Sequence, residues 1–181
     1  MDYLQNILLP HLQRFAERIE LKILRRGYYP KGGGKIILEI SPRLKRKDFA
    51  ALSDFYAEVS RVCPPIMLVE QGKLEQIRGI VNVSADLQEK EVAERIKKAA
   101  EDYLKKYEVP VTIRMEYVQS LSTGGEVLLW GVFSQGGKII SNNPIMLAGD
   151  ALVEAGKRSE QIGKEAAEKA SREIDSKAAV D

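Results

Sequence analysis

The sequence predicts an α+β protein, and three observations predict it. Apolar residues recur at helical spacing in four separate stretches, short apolar or alternating runs lie between them, and glycine-rich connections join some of those runs in pairs. The order of these features divides the chain into a partial core unit over residues 1–73, made of helix plus antiparallel strands, and a small β-α-β-β-(β)-α unit over residues 74–181.

Leu4, Ile7, Leu8, Leu12, Phe15 and Ile19 share a helical face, so residues 2–18 read as an amphipathic helix. Pro10 predicts a kink inside it, because proline cannot donate the intrahelical bond. Residues 19–24 alternate apolar and polar side chains and residues 36–40 are rich in isoleucine; both read as strands, with residues 26–35 as the hairpin connection. Phe49, Leu52, Phe55, Tyr56 and Val59 predict a second helix over 48–62, stopped by Pro64 and Pro65. Residues 66–69 read as a short strand, and a turn at Gln71, Gly72 and Lys73 marks the domain boundary.

Beyond that turn, residues 74–83 are strand-like. Asp86 with Glu89 reads as a capping box for a helix carrying Val92, Ile96, Ala100, Tyr103 and Tyr107. Residues 109–118 and 126–133 read as strands, with a further short strand at 138–141. The last helix is expected to start with Ser159 as N-cap, with Ile162, Ala166, Ala170 and Ile174 on one face and Gly163 permitting close packing on the sheet. The expected result is helices on one face of a mostly antiparallel sheet.

Composition narrows the function classes. Hydrophobic residues make up 44% and charged residues 30% of the 181, which suits a folded globular chain rather than a disordered one. No run approaches the roughly 20 apolar residues of a membrane helix, and the N-terminus lacks the order of a signal peptide, so the expected location is cytoplasmic. Cys63 is the sole cysteine, which excludes an internal disulfide and a multi-cysteine metal site. Net charge is +2, yet residues 1–50 hold eleven Lys plus Arg against five Asp plus Glu, so phosphate is expected to be met at that end.

The candidate site is the stretch Arg26, Gly27, Tyr28, Tyr29, Pro30, Lys31, Gly32, Gly33 and Gly34. Three consecutive glycines allow positive φ and close approach of the backbone to a ligand or another strand. Their amides can form an anion-binding concavity, Arg26 and Lys31 add charge, and Tyr28 and Tyr29 offer stacking faces for a base or ribose. Two readings stay open: an RNA or phosphate contact, and a loop that only shapes the hairpin while the tyrosines pack on the core.

The order of residues is more specific than their kind. A basic residue, glycine, two variable positions, proline, any residue, three glycines, any residue and an aliphatic run from Arg26 to Ile36, and this resembles the signature of the RNA 3′-terminal phosphate cyclase family. Further blocks are similar in the expected order: Asp2, Tyr3 and Leu4 with Leu8, Leu9 and Pro10; Gln76 to Gly79; Ser120 to Gly124 with Leu128, Leu129 and Trp130; and residues 154–163 leading into an alanine-rich helix. The resemblance implies an RNA-processing ligase that uses ATP and Mg²⁺ to turn an RNA 3′-phosphate into a 2′,3′-cyclic phosphate through a covalent histidine–AMP intermediate. It also implies that residues 1–73 belong to a repeated α+β core unit and that residues 74–178 are the smaller inserted domain.

Two parts of the family pattern have no counterpart in these residues: the glycine-rich nucleotide-site segment, which would precede Met1, and the segment bearing the nucleophilic histidine. His11, the sole histidine, matches no catalytic motif of the family, so no catalytic residue and no metal ligand is assigned to this chain. The expectation is a fragment, inactive alone, that holds neither ATP nor Mg²⁺ unaided. Its expected partners are RNA 3′ ends and either the missing core segments or a second copy of the chain. The alternative is a noncatalytic, cyclase-like RNA-binding protein of ribosomal RNA processing.

Overall fold

The computed structural model describes residues 1–63, 65–139 and 144–180. Its elements form an α+β fold on two sheets. The first helical segment changes its winding along its length: π-helical over Leu4–Leu8, α-helical over Leu9–Leu12 (α1) and 3₁₀ over Gln13–Phe15. Pro10 lies in the first turn of α1, where its missing N–H breaks no α-helical bond, and the wider π turn precedes it. The helix ends at Phe15, earlier than its pattern predicts, because Ala16–Arg25 (β1) is already extended and pairs antiparallel with Lys35–Pro42 (β2). Ile19 is therefore a strand residue, opposite Ile40.

The second predicted helix forms as Leu52–Val62 (α2), and none of its residues is buried. Residues 66–69, expected as a strand, join neither sheet. The run has the apolar composition of a strand, and composition alone does not create a pairing.

The larger sheet is built from Lys73–Ser84 (β3), Val111–Val118 (β4), Gly125–Ser134 (β5) and Met146–Leu152 (β6), in the order β4-β3-β5-β6. β3 runs parallel to β4, across the helix Val92–Leu104 (α3), and antiparallel to β5, which is antiparallel to β6. Helix α3 and the final helix Ser159–Ser176 (α4) cover one face, where Ile77, Val81, Val83, Leu129 and Leu147 meet Ile96, Leu104, Ile162 and Ala166. The other face, formed by Ile80, Leu128, Trp130, Val132 and Ala148, receives Ile7 from the first helical segment. Each such side chain, fully buried, contributes about 1.5–3 kcal/mol.

β6 is the element the pattern missed; a strand was expected at 138–141 instead. Lys138 makes only an isolated bridge to Gln135, and residues 140 and 141 lie outside the described residues. β6 is rich in small residues because α4 presses on it: a Cβ at Gly149 would lie 2.1 Å from the Ala170 nitrogen. Gly163 does permit close packing, but against α3 rather than the sheet, since its Cβ would lie 2.2 Å from the Ile96 carbonyl oxygen. The expected capping box at Asp86 is not formed. Residues Ala85–Lys90 are 3₁₀, Glu91 is left-handed before α3, and the Asp86 carboxylate accepts from the Thr123 hydroxyl. Ser159 is the first residue of α4 rather than its cap, and the Gln161 side chain accepts from the Arg158 amide at 3.3 Å.

Gln71 joins the start of this unit to its end. Its side chain is buried and donates to the Ile174 carbonyl at 2.9 Å, holding the turn before β3 against the C-terminal end of α4.

Candidate functional site

Between β1 and β2 the glycine motif folds into a tight loop. Tyr28 and Gly32 form an isolated bridge, the Gly32 amide donating to the Tyr28 carbonyl at 2.8 Å, and the Tyr29–Pro30 peptide is cis. Gly33 needs its glycine for a φ of +77°, in the left-handed region. Gly27 needs its own for space, because a Cβ there would sit 2.4 Å from both the Gly32 oxygen and the Gly34 nitrogen.

The loop is docked on the turn that precedes β5. The Lys31 amide donates to the Ser122 hydroxyl at 3.0 Å, and Tyr28 packs so closely on Gly124 that a Cβ there would be 2.7 Å from its side chain. Burial pushes the Tyr28 phenol up to about 12, so it stays protonated. Amides that an anion cradle would need, those of Lys31 and Gly32, are thus already bonded within the protein, and the Gly33 carbonyl accepts from Arg25 Nε at 2.5 Å. Two of the loop's amides are therefore not free to receive an anion.

Arg26 is likewise committed. Its guanidinium forms a two-pronged pair with Asp2, with Nη2 to Oδ1 at 2.8 Å, and Nη1 also reaches Glu126 Oε1 at 3.1 Å. All three groups are largely shielded from solvent. Burial opposes the charge on Asp2, but the bonds from Arg26 outweigh it and hold the carboxyl well below the usual range. Glu126, half-buried and facing Asp2, is pushed up to about 7 by that desolvation and by the neighbouring carboxylate. This clasp ties the first helical segment, the hairpin and β5 together.

Beside the clasp lies a cavity of 800 Å³ whose walls include Ile23, Tyr28, Tyr29, Ile36, Leu152 and Val153. Arg26, Gly27 and Gly34 line it as well, whereas Pro30, Lys31, Gly32 and Gly33 do not. Tyr29 is 91% exposed at its rim, with a ring face open for stacking. The lining suits the base and ribose of a nucleotide better than its phosphates. Among the described residues no cluster of three or more His, Cys, Asp or Glu could hold a metal ion. His11 is half-buried in α1, and burial depresses its pKa.

Sequence reasoning did not find Asp2, Glu126 or Asn82 as site residues. Asn82 is fully buried next to Glu126 across the β3–β5 pair, and its carbonyl accepts from the Tyr28 hydroxyl at 3.5 Å. A polar residue inside the apolar run from Ile80 to Val83, and a carboxylate opening the run from Val127 to Trp130, were the available signals.

The family model described as RNA 3′-terminal phosphate cyclase matches residues 1–140, the stretch that contains the hairpin, the clasp and most of the larger sheet. The chain belongs to this family. Curated relatives called RNA 3′-terminal phosphate cyclase include one from Thermococcus onnurineus, 33% identical over 182 residues that cover all of this chain and 45% of the relative. Another, from Pyrococcus abyssi, is 35% identical over 168 residues, covering 93% of this chain and 41% of the relative. A third, from Archaeoglobus fulgidus, is 33% identical across the whole chain and 44% of its own length. The chain therefore spans less than half the length of these cyclases.

Proposed function

We propose that these residues are part of an enzyme that uses ATP and Mg²⁺ to convert an RNA 3′-phosphate into a 2′,3′-cyclic phosphate. The chemistry requires a leaving group that a free terminal phosphate lacks. Transfer of AMP from ATP to a histidine, with loss of pyrophosphate, and then to the RNA phosphate supplies one, and the neighbouring 2′-hydroxyl displaces AMP as the ring closes. The nucleophilic histidine and the groups that hold the triphosphate and the metal lie in other segments of the enzyme.

On this reading residues 1–73 belong to the core and residues 74–181 form the inserted domain. The glycine loop shapes the hairpin, and its tyrosines form a wall of the nucleoside pocket. The remaining core segments, or a second copy of this chain, cover the exposed hairpin. The observation that carries the reading is the position of the family signature: Arg26 to Ile36 builds both the clasp and the wall of the 800 Å³ cavity.

Two incubations test it. The 181-residue chain with α-labelled ATP and Mg²⁺ is expected to carry no label on a denaturing gel run without acid treatment, since His11 is half-buried within α1; a labelled band would overturn the placing of the nucleophile elsewhere. A relative-length cyclase in which residues 1–181 replace the matching region is expected to give an RNA 3′-phosphate a phosphatase-resistant end. A folded chimera that does not do so would overturn the cyclase reading.

A further inference from the structure

A second cleft, of 740 Å³, separates the first helical segment and β1 from the free edge of the larger sheet. β4 is that edge, and alternation along it places Arg114, Glu116 and Val118 on the face that also bears Ile80 and Asn82 of β3. The lining also carries Lys22 and Arg25 from β1, Gln5 and Asn6 from the first helical segment and Gln119 just past β4, with Asn6 Nδ2 donating to the Asp2 carbonyl at 2.9 Å.

The charges in this cleft are unevenly committed. Arg26 is neutralised by Asp2 and Glu126. Lys22 shares Glu20 and Glu39 at 3.4 and 3.9 Å, exposed pairs that hold it weakly. Arg25 lines the cleft and donates its Nε to the Gly33 carbonyl, which leaves its charge without a carboxylate partner among the described residues. The Arg114 side chain makes no ion pair or hydrogen bond among the described residues, and Glu116 is the one carboxylate lining the cleft outside the clasp. Guanidinium and ammonium groups on β1 and β4, with side-chain amides in the same lining, are the recognition chemistry of a phosphodiester backbone.

We propose that this cleft holds the backbone of single-stranded RNA upstream of its 3′ end. The inference rests on the cyclase reading, since it is the track by which that substrate would arrive. Ile23, Arg25 and Arg26 line both this cleft and the tyrosine-walled cavity, so a strand lying along β1 reaches the second cavity by passing over one edge of the hairpin.

Fluorescence anisotropy with the full 181-residue chain and a labelled 12-nucleotide RNA ending in a 3′-phosphate tests it. Arg114→Gln is expected to weaken binding about 5-fold and to reduce the slope of log affinity against log salt by about 0.7, the loss of one phosphate contact. Arg114→Gln with Lys22→Gln should lose more. Arg43→Gln with Lys45→Gln, outside the cleft, should leave both quantities unchanged. Circular dichroism of each variant verifies its fold. The proposal is overturned if the wild-type chain binds no RNA at 50 mM salt, if Arg114→Gln matches wild type, if the outside pair loses as much, or if a poly-glutamate peptide competes as well as RNA. Retained RNA binding in Arg114→Gln alongside an active chimera would remove the cleft and leave the cyclase reading; Arg114-dependent binding with an inactive chimera would do the reverse.

Discussion

At Glu126 burial and the facing Asp2 carboxylate both oppose ionisation, and the pKa is pushed from 4.5 up to about 7. The folded state therefore holds a proton that the unfolded chain has released. This contribution to stability is complete below about pH 4.5 and is lost as pH rises through about 7. Asp2 has the opposite sign: Arg26 depresses it, so its contribution is present above the ordinary aspartate range and lost as pH falls. Glu126→Gln keeps the shape and removes the ionisation. Urea unfolding between pH 5 and 8 should show wild-type stability declining with pH and the variant nearly flat; an unchanged slope would assign the effect to another group. None of this was legible near Arg26, which reads as a phosphate contact beside its glycines. Its partners stand 24 and 100 residues away, and only folding brings them together.

Among the elements, the β1–β2 hairpin depends on two glycines for different reasons, and their substitution separates those reasons. Gly27→Ala drives a Cβ into two backbone atoms that no rotamer change can move, so a loss of about 2–3 kcal/mol is expected in chemical denaturation. Gly33→Ala meets only the end of the Leu121 side chain and adds the cost of a positive φ, about 1 kcal/mol. The reverse order would mean that the loop is held by its φ angles rather than by the close approach of its own backbone. Periodicity located both strands of this hairpin, α2, α3 and α4, because each has a run long enough for the apolar period to repeat. It missed β6, whose Gly149 and Ala151 lie on the face that α4 covers and, like Ala148 on the other face, carry little strand preference. It also assigned residues 16–18 to a helix, where pairing with β2 outweighs the local pattern.

For the molecule as a whole, burial is lopsided. The central strands β3 and β5 of the larger sheet are largely buried, whereas Ile36, Ile37, Leu38 and Ile40 of β2 are each 38–56% exposed and α2 buries no residue. An apolar strand with an unpaired edge invites pairing. Sedimentation of the isolated 181-residue chain should show concentration-dependent association, reduced by Leu38→Lys with Ile40→Lys; a monomer at every concentration would show that this surface tolerates water. The fold class and the family were legible from the sequence, because the order of elements and the residues from Arg26 to Ile36 are local information. The clasp and the two cavities were not, since each is assembled from segments far apart in the chain.

The bond from Gln71 to Ile174 has a consequence of its own. It brings the two ends of a unit more than a hundred residues long to within hydrogen-bonding distance, at 2.9 Å. A module whose entrance and exit coincide can be grafted into a surface turn of another protein without prying the host strands apart, because the host sees only a short gap to bridge. The stretch from β3 to α4 meets that geometric requirement.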